Sequence, residues 1–275
     1  MNRRAPSGFT LVELLIAVVV TAAMLAAVFQ TVVVQQRSYR EQMAILDTRQ
    51  TARTALELIA TEIREVSATG GDIYAASADS IRFRAFGKLA VVCDVANGGL
   101  LEVWELGEKF TKGDSVMIFS DGGDPTAAGD VWVATTVMDR GPPQICTDTD
   151  WPEHAKGGVK PTNLPAGVGM GSLLRGFVAV TYGSYAIDGE QVVGRRGKDG
   201  RVTALVGPIL EHGGLEFRYY DANGAPIAYA DLALASRRAD IRRVEIVVRA
   251  PREAVGGTQA QVDSLVTQVR LRGNT

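Results

Sequence analysis

A long apolar stretch lies near the N-terminal end of the sequence. From Leu14 to Val34 only Thr21, Gln30 and Thr31 interrupt the apolar residues. A helix rises about 1.5 Å per residue, so a segment of this length spans the roughly 30 Å hydrocarbon core of a bilayer. The pattern predicts a membrane-spanning helix.

After this stretch, hydrophobic residues recur at steps of three and four, with charged residues between them. This periodicity is typical of an amphipathic helix with one face toward a core and the other toward water. The two patterns together predict one helix from Phe9 to about Ser67, ended by the Gly70-Gly71 pair.

From about Asp79 the hydrophobic period changes to two, which predicts strands. Residues 139–171 are rich in Pro and Gly and are predicted to form a long irregular loop, and residues 188–200 an exposed polar hairpin tip. The fold class is therefore α+β: a long N-terminal helix packed on an antiparallel, β-rich head domain. The strands are predicted at 81–85, 101–105, 116–119, 131–137, 176–182, 215–219, 241–249 and 262–271, with the last two adjacent.

These patterns divide the chain into four segments. Residues 1–8 form a short leader, 9–34 the membrane-spanning helix, 35–70 its amphipathic continuation and 71–275 the head domain. The chain has 29 Lys and Arg against 31 Asp and Glu, so it lacks the basic excess of a nucleic-acid-binding protein. No nucleic-acid partner is expected.

The flanking charges predict the orientation of the membrane helix. Arg3 and Arg4 precede the apolar stretch, which places the N-terminus in the cytoplasm and the rest outside the inner membrane. A secretory signal peptide fits poorly, because the apolar run is too long and no Ala-x-Ala-like site follows it. A simple signal anchor explains the hydrophobicity but leaves Glu13 unexplained.

Glu13 is a single carboxylate near the start of the apolar stretch. An ionisable residue in such a segment is costly and is a functional-site hypothesis by default. Pairing with a cation that is itself buried relieves both groups and specifies one register between helices. The alternative is a glutamate that reaches the water at the membrane edge.

The run Gly8-Phe-Thr-Leu-Val-Glu13, with a short basic leader before it and an apolar helix after it, resembles the cleavage and methylation signature of type IV prepilins and pseudopilins. Segments 207–221, 241–249 and 269–272 more loosely resemble PilW-type minor pilins and the related J-type pseudopilins of type II secretion. The specific part of the resemblance covers about the first 30 residues.

The resemblance implies that prepilin peptidase cuts between Gly8 and Phe9 and that the new Phe9 amine is N-methylated. Glu13 then pairs with the N-terminal amine of a neighbouring subunit. The implied function is that of a minor pilin, which waits in the inner membrane and then helps to initiate a type IV pilus in a priming or tip complex. Its implied partners are other minor pilins, the major pilin, membrane lipid and a tip adhesin.

Two other functions remain open. The first is a J-type pseudopilin of a type II secretion system, which would assemble with pseudopilins by the same chemistry. The second is a membrane-anchored adhesin or binding module whose head recognises a ligand. An enzyme is not expected, because the sequence shows no catalytic constellation and no cofactor motif.

The remaining candidates for chemistry are few. Cys93 and Cys146 are the only cysteines, and in an oxidising compartment such a pair is expected to form a disulfide, with two unpaired buried thiols as the alternative. The two histidines, His154 and His212, lack the spacing of a zinc site and are interpreted as loop residues. A weak calcium hypothesis, against turn chemistry as the alternative, rests on a group of acidic residues: Asp121, Asp124 and Asp130.

Overall fold

The structure is a computed structural model that describes residues 10–122, 130–142, 156–252 and 261–272. The chain divides into two compact units, Met1–Thr51 and Ala52–Thr275. The first described element, α1, runs from Leu11 to Arg64.

The predicted long helix is confirmed, with shorter ends. Helix α1 has 54 residues and stops at Arg64, before the predicted Gly70-Gly71 end. The end lies earlier because the chain closes a turn there: the N–H of Ser67 donates to Asp72 Oδ2 at 2.8 Å, and the N–H of Asp72 donates to the Ser67 carbonyl at 3.1 Å. The first strand starts directly after Asp72.

The rest of the described chain is mainly antiparallel β-structure, as predicted. A 3-10 turn at Asp231–Ala233 and a short helix α2 at Ala235–Ala239 precede the last two strands. The strands are β1 Ile73–Ala76, β2 Ser80–Ala96, β3 Leu100–Leu106, β4 Ser115–Ser120, β5 Val131–Gly141, β6 Lys156–Pro161, β7 Leu173–Ile187, β8 Glu190–Arg196, β9 Val202–Val206, β10 Leu215–Tyr220, β11 Arg243–Arg252 and β12 Gln261–Arg270.

Two predictions for the head are wrong. The segment 139–171 contains β6, which pairs with β3 on one side and β5 on the other. The segment 188–200 contains β8, whose Val192 and Val193 are buried, so it is a strand between two turns and not an exposed tip. In both cases glycines were interpreted as loop formers, although those of β6 lie where neighbouring groups approach closely.

The large sheet has nine strands in the order β1-β2-β3-β6-β5-β4-β7-β8-β9, and β2 also pairs with β7. This extra pairing closes a ring of six strands, β2-β3-β6-β5-β4-β7. The ring can close because β2 and β7 are long, so that one end of each strand pairs within the ring and the other end pairs outside it. Their other ends form an open sheet with β1, β8 and β9.

Each part of the sheet has its own hydrophobic core. The closed ring is filled by fully buried side chains from its own strands, such as Val92, Leu101 and Ile118. The other core joins the open sheet to the three-stranded sheet β10-β11-β12 and to the end of α1. The helix positions that enter it recur at alternating steps of three and one: Ala52, Ala55, Leu56, Ile59, Ala60 and Ile63.

The outer face of the three-stranded sheet carries an ionic network that makes stability depend on pH. Arg218 Nε donates to Glu216 Oε1 at 2.7 Å, and Arg249 Nη2 donates to Glu216 Oε2 at 2.7 Å. The hydrogen bond from Arg218 lowers the pKa of Glu216, and the hydrogen bond from Arg249 lowers it further. Together they outweigh partial burial, which raises this pKa. The folded state therefore binds this proton more weakly than the unfolded state.

We expect the protein to lose thermal stability on acidification below about pH 5, where an unfolded glutamate begins to bind its proton. A lowered folded pKa means that the contribution of Glu216 is complete above this range and is lost as pH falls through the folded pKa. Thermal unfolding of the full chain in detergent, from neutral to acidic pH, measures the effect. Glu216→Gln should be less stable at neutral pH and lose less on acidification. An equal acid loss in the variant and the parent would contradict this assignment.

Candidate functional site

The start of α1 holds Thr10 and Glu13 in a reciprocal pair. The N–H and the hydroxyl of Thr10 each donate to Glu13 Oε2 at 3.0 Å, and the N–H of Glu13 donates to Thr10 Oγ1 at 3.3 Å. This is a capping box, in which a threonine before the helix and an acidic residue three positions later satisfy each other's backbone N–H groups. Glu13 therefore has a partner within its own chain.

From the sequence, Glu13 was expected either to pair with another subunit or to reach the water at the membrane edge, and a role in capping its own helix was not predicted. The signal for the cap, a threonine three residues before a glutamate at the start of an apolar run, is present in the sequence. Both bonds that the Glu13 side chain accepts go to the same oxygen, Oε2. A carboxylate has a second oxygen, so capping and pairing with a cation are chemically compatible.

The segment that follows Glu13 is apolar and exposed. Leu11–Arg40 is one helical stretch whose most apolar 18 residues have a mean hydropathy of 2.6, and none of those residues is buried within the described chain. The hydroxyls of its two threonines are satisfied internally, because Thr21 donates to the Ala17 carbonyl at 2.7 Å and Thr31 to the Ala27 carbonyl at 3.0 Å. By length and composition this helix can cross a bilayer, and its apolar surface requires lipid or other helices around it.

The two processing residues, Gly8 and Phe9, lie outside the described residues. Cleavage between them and methylation of Phe9 stay predictions. The structure places Glu13, which follows Phe9 by four residues, in the first turn of the helix.

The cysteine pair is only half within the described chain. Cys93 lies in β2 and is 5% exposed, whereas Cys146 lies outside the described residues. The disulfide between them stays a prediction.

Thiol labelling tests the disulfide. We expect the protein isolated from its native compartment, denatured without reductant, to react with no maleimide, and the reduced protein to react at both cysteines. Cys146→Ser should make one thiol reactive before reduction, because Cys93 then lacks its partner. Two reactive thiols in the unreduced parent would contradict the pairing.

The calcium candidates are not assembled into a site by the described residues. Asp130 Oδ1 accepts a hydrogen bond from the N–H of Gly122 at 3.0 Å, which is turn chemistry, and Asp124 lies outside the described residues. In the described parts of the chain, no group of three or more His, Cys, Asp or Glu side chains is placed to hold a metal ion. His212 is exposed, and His154 lies outside the described residues.

Comparison with known proteins identifies the N-terminal segment. The family model described as the prokaryotic N-terminal methylation motif matches residues 3–29, which include Glu13 and the first part of α1. No curated protein and no solved structure matches the chain. The motif supports a type IV pilin-like or pseudopilin protein, with membrane anchoring through the N-terminal helix and processing by a prepilin peptidase.

Proposed function

We propose that this protein is a minor pilin that is incorporated into a type IV pilus and helps to initiate its assembly within a priming or tip complex. The observation that carries the proposal is Glu13, a carboxylate in the first turn of an exposed apolar helix. The methylation motif matched at residues 3–29 supports the pilin-like or pseudopilin class within which this proposal falls.

The proposed mechanism uses Glu13 at two stages. Before assembly, the Thr10 N–H and hydroxyl satisfy the Glu13 carboxylate near the membrane surface, which lowers the cost of keeping it in an apolar segment. During assembly, the carboxylate pairs with the methylated Phe9 amine of a neighbouring subunit. A charge pair in an apolar helix bundle is favourable only in the register that brings both charges together, so it selects one arrangement of the helices.

The rest of the chain then has a structural function. The apolar helix packs against other subunits, and the β-rich head selects partners among other minor pilins, the major pilin and a tip adhesin. In this proposal the protein is not an enzyme. It waits as a single-pass inner-membrane protein with a cytoplasmic N-terminus, and it later places its head in the periplasm or outside the cell.

A clean deletion in the native host tests the proposal, with sheared surface pili and secreted proteins measured in the same cultures. We expect loss of pili and normal secretion. Normal pili with lost secretion would instead identify a J-type pseudopilin of a type II secretion system, because both classes share the motif. If neither changes, the minor-pilin proposal fails.

A further inference from the structure

One face of the large sheet carries a row of alternating arginines and aromatic rings. Arg84 lies over the rings of Tyr74 and Phe177, with its Cζ atom 5.3 and 5.2 Å from their centroids. The Phe177 ring contacts the Phe86 ring edge to face at a centroid distance of 6.3 Å. Arg175 continues the row, with its Cζ atom 3.9 Å from the Phe86 centroid. Such stacks fix the side chains in place before any ligand arrives.

The row ends on an exposed tryptophan. Trp132 is 38% exposed, and its ring centroid lies 6.0 Å from Arg175 Cζ. Its ring also packs against the Phe119 ring at a centroid distance of 5.4 Å. Arg175 covers the Phe86 ring, so Trp132 is the aromatic surface in this row that is most open to a ligand. A large exposed indole supported from behind by another ring is typical of a binding surface.

Trp132 lines a groove of about 1010 Å³, formed by residues of the second unit. This volume is sufficient for several linked small rings. The lining includes three acidic and three basic side chains, so their formal charges cancel: Glu65, Asp72, Asp130, Lys88, Arg175 and Arg272.

Most of these charges already have partners. Arg175 Nη2 lies 3.1 Å from Glu65 Oε2, and Lys88 Nζ lies 2.7 Å from Asp114 Oδ2. Asp72 is paired with Arg84 at 2.9 Å. Within the described residues Arg272 is the one groove cation outside these pairs, so an anionic ligand could gain a single cation and would then face three carboxylates. A neutral ligand can accept from the N–H groups and donate to the carboxylates without separating any charge.

We propose that this groove binds a neutral oligosaccharide, with one sugar ring stacked on Trp132. The C–H face of a sugar carries a weak positive potential that suits the negative face of an indole. Its hydroxyls can both donate and accept hydrogen bonds, which matches a lining of paired carboxylates and guanidinium groups. The proposal does not depend on the minor-pilin function, because it concerns the second unit, Ala52–Thr275, alone and holds equally for a pseudopilin or an adhesin.

Isothermal titration calorimetry of the full processed chain in detergent tests the site, with cellohexaose and chitohexaose as neutral probes and hexagalacturonate as the charged counterpart. We expect saturable binding of at least one neutral probe, with a dissociation constant of about 1 mM or below, and weaker binding of the charged one. Trp132→Ala should raise the dissociation constant of the neutral probe at least tenfold.

A matched control lies elsewhere in the fold. Tyr220 is also stacked with an arginine, Arg243, at 4.2 Å, but it does not line the groove, so Tyr220→Ala should bind as the parent does. The proposal is overturned if neither neutral probe binds, if Trp132→Ala binds with unchanged affinity or if the charged probe binds best. It is also overturned if Trp132→Ala leaves glycan binding unchanged while it removes binding to another subunit, because the groove is then a protein interface.

Discussion

Glu13→Gln should reduce incorporation of the protein into filaments by at least about 100-fold while cleavage of the leader continues. The reason is that a buried amine of a neighbouring subunit would lose its counter-charge, and an unpaired buried charge costs about 3–5 kcal/mol. Glutamine serves in capping boxes as glutamate does, so this variant removes the charge and keeps the helix cap. The measurement is the amount of processed protein in sheared filaments relative to the amount in the membrane.

Thr10→Val is the matched control for Glu13→Gln. It removes the hydroxyl that bonds to Glu13 Oε2 and leaves the carboxylate charged. A helix cap is worth about 1 kcal/mol, so this variant should assemble within several-fold of the parent. The opposite result, in which Thr10→Val fails and Glu13→Gln assembles, would show that Glu13 acts only as a cap.

The sequence was sufficient for the part of the fold that depends on local periodicity. Helix α1 and the segments of alternating residues were predicted near their observed positions, because burial on one face leaves a period that can be counted along the chain. Strand partners have no such local signal. The closure of six strands into a ring depends on β2 and β7 pairing along part of their length and then separating, and nothing in either segment alone indicates this.

The candidate site shows the same limit. Glu13 was found from its charge, whereas its hydrogen bonds with Thr10 were missed, because an apolar run marks the carboxylate as exceptional and a helix cap is a local feature that the charge alone does not indicate. The row that leads to Trp132 was missed for a different reason. Its members are distributed over four strands, β1, β2, β5 and β7, and only the folded sheet brings them together.

Strand β6 was missed because its glycines were interpreted as loop residues. Gly157 lies between β3 and β5, beneath the ion pair of Glu105 and Arg140. A Cβ atom at Gly157 would lie 2.7 Å from Arg140 Nη2 and 2.8 Å from Glu105 Oε2. An added Cβ would therefore have to displace the side chains of Glu105 and Arg140, and the sequence of one strand does not reveal this close approach.

Arg140→Met should destabilise the protein by about 3–5 kcal/mol, because it leaves Glu105 buried without its cation. The Glu105 side chain is 1% exposed and is held by Arg140 through two bonds of 2.9 Å, from Nη1 to Oε1 and from Nη2 to Oε2. The N–H of Phe110 also donates to Oε1 at 2.8 Å, and it alone does not compensate a buried charge. Denaturant unfolding of the full chain in detergent measures the change in free energy.

Two further variants show whether the ion pair is the cause. The double variant Glu105→Leu with Arg140→Met removes both charges and should recover a large part of the lost stability, since an apolar pair of similar size often replaces a buried ion pair at little cost. Gly157→Ala should destabilise by displacing Arg140, whereas Gly87→Ala, in β2 with no atom within 4 Å of the added Cβ, should be close to neutral. If the double variant is no more stable than Arg140→Met, the loss comes from packing in the ring and not from the unpaired carboxylate.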